Sequence, residues 1–245
     1  MNHENKGKID LEKVKEMYNN MPIIWPETDK WYSYTYKQID SYIKRHIKQE
    51  NVSKISNIVN IGSAGNEYGI PGIHYHLDIA EERIKHCENF HVGSAEKLPY
   101  PDNFFDYGIC VGSVINYCDP LCVISEISRV LKPKATLVLE FEQSKSLQFF
   151  GTKKYNKRAE IIQSFNSGNN DTIWIFSFDH IKSLCESYNL IIENVKYFHI
   201  ISPFIYRWCK SESIAAKYVN LDKYLNKIPI IRTNSCNVLI SLKRS

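Results

Sequence analysis

Apolar residues change their period several times along this chain, and each change marks an element. Leu11, Val14 and Tyr18 fall on one side of a short predicted helix, Ile9 to Tyr18, with Asp10 as its cap. Ile39, Ile43 and Ile47 recur at spacing four and predict a second helix. Ile58, Val59 and Ile61 then form a short continuous run, with the length and branching of a buried parallel strand. Further apolar runs follow at Ile73–Leu77, Phe90–Gly93, Tyr107–Val111 and Ala135–Phe141, with helical patterns between them at Ala80–Cys87 and Pro120–Leu131. The latter helix stops at Lys132-Pro133, because proline disfavours helix in the residue before it. Strands alternating with helices predict an α/β fold around a mostly parallel sheet. Beyond Ser177 come a helix capped by Ser177 or Asp179, a strand at Leu190–Tyr197, a helical region from Pro203 to Lys227 and a last strand at Cys236–Leu242.

Two regions break this rhythm. Trp25, Trp31, Tyr32, Tyr34 and Tyr36 cluster around and after Pro22 and Pro26, ahead of the first core strand. Aromatics with polar tips suit a lid, since they exclude water and still form hydrogen bonds. From Glu142 to about Ile175 the pattern dissolves into an insertion: a Lys-rich stretch read as a solvated surface helix, a further helical stretch, and the loop S-G-N-N-D. Lys153, Lys154, Lys157 and Arg158, mixed with Phe149, Phe150 and Tyr155, are its alternative use as a grip on an anionic substrate. The expected organisation is a helical cap over residues 1–50 and a core over 51–245, with the insertion at about 143–176.

Composition narrows the function classes. A length of 245 residues suits one α/β domain with additions, and 43% hydrophobic content supports an ordinary core. A formal charge of +4 is too mild to indicate nucleic acid. No run reaches bilayer length, and the start, M-N-H-E-N-K-G-K, lacks a signal peptide's apolar segment. The seven cysteines are scattered without a C-x-x-C pair, which indicates reduced thiols. A cytoplasmic protein without a membrane or nucleic-acid partner is expected; its oligomeric state is left open.

The chemistry concentrates between Ile58 and Asp78, I-V-N-I-G-S-A-G-N-E-Y-G-I-P-G-I-H-Y-H-L-D. A strand runs into a loop holding Gly62, Gly65, Gly69 and Gly72, and the next strand ends on Asp78. This is the usual site for an adenosine-containing cofactor: glycines let backbone approach the ligand, and the acid accepts hydrogen bonds from ribose hydroxyls. The loop lacks G-K-[ST] and is no P-loop; it also lacks G-x-G-x-x-G, which leaves a nicotinamide-dependent oxidoreductase as a minor alternative. His74, His76 and Asp78 alternate on one strand at a spacing that metals use, but on a buried strand they read as packed histidines, and no metal is expected.

Two further stretches give a resemblance. G-S-A-E-K-L-P-Y-P-D-N-F-F-D (93–106) is close to G-D-A-x-x-L-P-F-x-D-x-x-F-D, and E-I-S-R-V-L-K-P (126–133) to E-x-x-R-V-L-K-P. Placed after a glycine-rich loop, these motifs resemble the class I S-adenosylmethionine-dependent methyltransferases, Rossmann-like enzymes that include the quinone-biosynthesis type. The likeness covers roughly Asn57 to Ser144 closely and the rest by strand order. It implies a seven-stranded sheet of order 3-2-1-4-5-7-6 with strand 7 antiparallel, and S-adenosyl-L-methionine as cofactor, with S-adenosyl-L-homocysteine as product. It further implies that Gly62, Ser63, Ala64 and Gly65 lie beside the methionine part, with Asn66, Glu67 and Tyr68 next to them. By the same resemblance Asp78 is expected to take the ribose hydroxyls, Ile79 to pack on adenine, and Ser94, Ala95 and Glu96 to follow its edge. It likewise implies Val111, Gly112 and Ser113 as the floor under the sulfonium, with Asn116 and Tyr117 close to substrate.

The chain departs from the family pattern at Asn60, where an acid is usual; at the G-S-A-G-N loop, which shifts close approach to Gly65; at Ser94, also usually an acid; and at Lys134-Ala135, in place of a glycine pair. The N-P-P-Y motif of nucleic-acid amino-methyltransferases is absent. Methyl transfer from a sulfonium needs the acceptor aligned and dry, and a protonated oxygen or nitrogen acceptor calls for a base. Glu142 and His199, near carboxyl ends of strands five and six, and Tyr117 are the catalytic candidates; Trp31, Tyr32 and Tyr36, with Asn116 and Tyr117, are the lid and substrate candidates. The expected activity is methyl transfer to an oxygen or nitrogen of a small molecule, natural product or modified peptide. The alternative from another class is a catalytically silent, cofactor-binding partner subunit.

Overall fold

The computed structural model describes residues 9–48, 51–166 and 169–245. Helix α1 (Leu11–Asn20) starts where Asp10 accepts a hydrogen bond from the Lys13 amide. Helix α2 (Lys30–His46) starts at Asp29, whose carboxylate accepts from the Trp31 amide at 2.8 Å. That cap draws Trp31, Tyr32, Tyr34 and Tyr36 into the helix, ahead of the isoleucines that alone predicted it. Strands β1 (Asn57–Ile61) and β2 (Ile73–Asp78), helix α3 (Glu81–Ile84), and strands β3 (Phe90–Val92) and β4 (Phe105–Cys110) follow. Next come a 3-10 turn at Val114–Tyr117, helix α4 (Pro120–Val130) and strand β5 (Leu131–Glu142).

The insertion corrects the sequence reading. Residues expected as a helical stretch form β6 (Ala159–Asn166), an antiparallel partner of β7 (Asn169–Phe176) in a separate two-stranded sheet. Ile162 lies opposite Ile173, and both are buried, so pairing across the hairpin decides a run whose local spacing suited either structure. The Lys-rich stretch before it contains one 3-10 turn, Leu147–Phe149, and no surface helix. Part of the S-G-N-N-D loop, Ser167 and Gly168, lies outside the described residues. Helix α5 (Phe178–Ser187) is capped by Ser177; strand β8 (Leu190–Phe198), helices α6 (Ser202–Cys209), α7 (Glu212–Ala215), α8 (Asp222–Leu225) and α9 (Pro229–Arg232), and strand β9 (Asn237–Arg244) complete the chain.

The large sheet has the order β3-β2-β1-β4-β5-β9-β8. Strands β1 to β5 pair in parallel, while β9 runs antiparallel to both β5 and β8. With β8 and β9 as the sixth and seventh core strands, this is the expected 3-2-1-4-5-7-6 arrangement. An antiparallel strand wedged beside β5 also separates it from the all-parallel 3-2-1-4-5-6 sheet of dinucleotide-dependent oxidoreductases.

Neighbouring residues of β1 divide between two cores. Val59 and Ile61 join Val123, Ile127, Ile181 and Leu242 on one face; Ile58 joins Ile39, Ile43 and Ile47 of the α2 stretch on the other. The carboxyl half of α2 is therefore a packing layer of the sheet. The two recognised motifs meet through Arg129, which donates to the carbonyls of Leu98 and Tyr100 and to the Asp102 carboxylate at 2.8–2.9 Å. Glu126 accepts from the Leu98 amide at 2.7 Å, so helix α4 holds the 93–106 loop against the sheet.

Candidate functional site

A cavity of about 720 Å³ opens at the carboxyl ends of β1, β2, β4 and β5, where strand order reverses. Its first end is the glycine loop. At Gly62 the chain turns with φ +63°, and a Cβ there would lie 2.1 Å from the Val114 side chain. The Asp78 carboxylate accepts from the Ala64 amide at 3.0 Å and the Ala80 amide at 2.9 Å, bracing the loop against the end of β2. Burial raises the Asp78 pKa, while these backbone N–H groups and the Arg83 charge oppose the shift.

Behind the loop, Ser63 Oγ accepts from the Gly65 amide at 3.1 Å and lies 3.0 Å from His76 Nδ1, while His76 Nε2 faces Glu67 at 3.4 Å. His74 Nε2 sits 2.7 Å from the Ile70 carbonyl and Nδ1 2.8 Å from the Asn60 amide nitrogen. These partners fix Nε2 as donor and Nδ1 as acceptor in both rings. The two histidines are packed, hydrogen-bonded struts. Asn60 is turned to His74, and its own Oδ1 has no partner among the described residues.

Ser63, Ala64, Tyr68, Asp78, Ile79, Ser94, Ala95, Val111, Gly112 and Ser113 all line the cavity with Gly62. Four expected contacts, Gly65, Asn66, Glu67 and Glu96, do not. A Cβ on Gly65 would lie 2.9 Å from the Arg83 carbonyl and from the His86 ring, so its close approach is to α3 and not to a ligand. Asn66 donates back to the Ser63 carbonyl, and Glu96 accepts from the Asp119 amide at 2.7 Å.

The second end continues past Ser113. This residue adopts φ +59°, and its amide donates to the fully buried Glu140. Glu142, half-buried, faces the hollow with one oxygen 3.3 Å from Ser113 Oγ and the other 3.7 Å from the Cys236 thiol. Burial and the neighbouring Glu140 charge push its pKa up to about 7. Tyr117 donates to Asp171 at 2.6 Å, and Tyr18 meets the Tyr117 ring edge-on. Trp31 and Tyr32 line the hollow from α2, while Tyr36 stands behind it, stacked on Tyr68 and tilted against Trp25.

Two expected site residues turn away. Asn116 is fully buried: its amide donates to the carbonyls of Glu142 and Trp174, and its Oδ1 accepts from the Glu142 amide at 2.9 Å, so it ties β5 to the hairpin instead of facing a substrate. His199 has no exposure and does not line the cavity. Its ring stacks on Trp31 at 4.1 Å, Nε2 lies 2.8 Å from Thr35 Oγ1, and Nδ1 lies 2.8 Å from Ser202 Oγ. Burial pushes its pKa down to about 3. Conversely, Tyr18, Glu140 and Asp171 line the hollow without having been expected there. Glu140, a lone acid within an apolar strand, carried a readable signal; Tyr18 and Asp171 arrive through tertiary placement.

Comparison with known proteins agrees with this geometry. A family model described as a methyltransferase domain matches residues 56–139. A demethylmenaquinone methyltransferase of Anoxybacillus flavithermus is 27% identical over 159 residues, covering 57% of this chain and 63% of that one. The chain spans about one third to two thirds of the length of the curated relatives it matches. Among solved structures, a [4+2]-cyclase superposes with TM-score 0.61 at 13% identity, covering 98% of this chain and 99% of that one. A geranyl diphosphate C-methyltransferase of Streptomyces coelicolor, in complex with Mg²⁺, geranyl diphosphate and S-adenosyl-L-homocysteine, superposes with TM-score 0.58 at 12% identity, covering 96% and 98%. Strand order, motifs and the matched domain make residues 56–139 similar to the class I S-adenosylmethionine-dependent methyltransferases, and the solved structures share the fold. No helix among the described residues is long and apolar enough to cross a membrane.

Proposed function

We propose that this protein transfers a methyl group from S-adenosyl-L-methionine to an oxygen or nitrogen of a small molecule, natural product or modified peptide. The observation that carries the reading is the continuity of the hollow. It runs from the glycine loop and Asp78, past Ser113, to Glu142 and the Tyr117–Asp171 pair, and its size falls within the range of small-ligand sites. The first end fits the cofactor. Asp78 keeps acceptor capacity beyond its two backbone partners for ribose hydroxyls, Leu77 and Ile79 offer apolar surface to adenine, and Gly62 and Gly112 keep side chains off the floor.

When bound, the cofactor supplies a methyl group already activated on a sulfonium. The chain's own task is to bind, orient and dry the acceptor. Trp31, Tyr32 and Tyr18 wall the second end, which supports a lid role for the N-terminal segment. Glu142, with a pKa near neutrality, is suited to take the acceptor's proton. Tyr117, held by Asp171, is suited to orient the acceptor through its phenol oxygen. A small acceptor is favoured over a peptide because helices and the hairpin close around this end.

Titration calorimetry with S-adenosyl-L-homocysteine tests the cofactor end. Asp78→Ala is expected to weaken binding by about 1–3 kcal/mol through loss of a charge-assisted hydrogen bond; unchanged affinity would refute the ribose assignment. A second reading, a cofactor-binding protein without methyl transfer, draws on Asn60, which is committed to His74 where the family pattern has a free acid. Release of S-adenosyl-L-homocysteine during turnover with a panel of oxygen and nitrogen acceptors separates the two.

A further inference from the structure

The helical run from Glu212 to Leu225 turns its small residues inward and its large ones outward. Ala215, Ala216, Val219 and Asp222 are buried, whereas Ile214, Tyr218, Leu221 and Tyr224, spaced three and four apart, are exposed. Ile228 and Ile230, which follow in sequence, are also exposed, the latter 82%, and Trp208 on α6, which contacts α7 and the 3-10 turn after it, stands 71% exposed. Lys217, Lys223, Lys227 and Arg232 are exposed among these apolar side chains. Lys223 lies over the Tyr224 ring at 4.7 Å and Arg207 over the Trp208 ring at 5.5 Å, so cations and aromatics are already interleaved.

The insertion adds to the same region. Helix α6 contacts the 3-10 turn Leu147–Phe149, and Arg207 donates to the Phe150 carbonyl at 2.7 Å, leaving the Phe150 ring 59% exposed. Residues 143–158 carry five Lys and Arg and no acid; residues 202–232 carry six against Glu212 and Asp222. That is a surplus of nine in segments joined at α6, so the rest of a +4 chain is net acidic at −5. Asp222 does not soften the surplus at the surface, because it is buried and accepts from Tyr34.

An exposed apolar face by itself names no partner. Here the charge does. Two copies of this chain meeting through it would bring like charges together, which argues against self-association. The fitting complement is apolar below and anionic above, and lysines whose stems lie along apolar surface while their ammonium groups reach outward suit the plane between acyl chains and phosphates. We propose that this face, residues 204–232 with the adjoining 145–158 segment, docks on an anionic phospholipid surface. The inference departs from the sequence expectation of no membrane partner and does not depend on the proposed methyl transfer. Tyr206, Arg207 and Lys210 also line the cavity, so docking brings one side of the hollow to the lipid.

Flotation with the full chain tests it, using vesicles of phosphatidylcholine alone or mixed equally with phosphatidylglycerol. The expected result is partition onto the mixed vesicles only, weakening as salt is raised. Lys223→Glu with Lys227→Glu should lower that partition by about tenfold or more. Tyr224→Ser with Ile228→Ser should lower it about tenfold while leaving its salt dependence in place. All lie on the exposed face, so thermal melting should stay near that of the parent, confirming folded variants. Equal flotation with neutral vesicles, or none with mixed vesicles at low salt, overturns the proposal. So does light scattering that detects a dimer abolished by Tyr224→Ser with Ile228→Ser, which assigns the face to a second copy. Binding to polyglutamate as tight as to vesicles, and indifferent to the same pair, overturns it in favour of an acidic protein.

Discussion

Glu142 and His199 occupy matching places on either side of β9. In register, Asn237 lies opposite Glu142 on one side and opposite Phe198, the residue before His199, on the other. From sequence both were equal candidates for a base. Burial displaces the pKa of each toward its uncharged form, Glu142 up to about 7 and His199 down to about 3, because a low-dielectric surrounding penalises charge of either sign. Their neighbours separate them. Glu142 faces an open hollow with weak partners, while His199 is sealed between Trp31, Thr35 and Ser202 with both nitrogens engaged. Placement at a strand end nominates a group; an unfilled volume in front of it is what permits chemistry.

Substitutions at the two positions should therefore fail in opposite ways. Glu142→Gln keeps shape and removes the proton acceptor, and should lower turnover by about 10²–10⁴-fold with little change in homocysteine-product affinity. Near-parental turnover would move the base elsewhere or show that the acceptor needs none. His199→Ala removes a stacked ring and two hydrogen bonds at a position with φ +52°, and should cost roughly 2–4 kcal/mol of stability in urea denaturation. Turnover per folded molecule should stay within about tenfold of the parent. A variant that folds normally yet is inactive would reverse the assignment of roles.

A smaller effect sharpens the same contrast through pH. For Glu142 the folded pKa, about 7, lies above its ordinary 4.5, so the folded state holds the extra proton between those values and its contribution to stability falls as pH rises through that window. For His199 the folded pKa, about 3, lies below the ordinary 6.5, so stability is lost as pH drops through 6.5 toward 3. Glu140 and Asp78, also raised by burial, act in the same direction as Glu142. Urea midpoints measured from pH 4.5 to 7.5 should show a flatter decline toward neutrality in Glu142→Gln, a difference on the order of 1–2 kcal/mol. Parallel curves for parent and variant would show that Glu142 ionises as an ordinary carboxylate.

What could be read in advance was local. The β1–loop–β2 unit is one unbroken stretch, so its strands, glycines and Asp78 declared themselves, and the two motifs that Arg129 joins carried the family resemblance that implied the sheet order. The second end of the hollow is assembled from α1, α2, the turn at Val114–Tyr117, the end of β5 and the hairpin, and no local pattern announces such a meeting. Residues 159–166 looked helical because Ile161 and Ile162 fit either period; only their facing partners Trp174 and Ile173 decide. Asn116 sits beside the site in sequence, yet backbone groups exhaust its amide. Asp29 was the missed signal at short range: once it is seen as a cap, Trp31 and Tyr32 must lie on a helix.

Arg83 lines the cavity while its guanidinium grips the carbonyls of Tyr18 and Asn19, the trailing end of α1. One side chain thus borders the compartment next to Asp78 and also fastens the wall contributed by Tyr18. A ligand filling that compartment is expected to steady Arg83 and, through it, the wall that Tyr18 contributes. On the proposed function the expected order of loading is the nucleoside first and its reaction partner second, an order that product-inhibition kinetics checks.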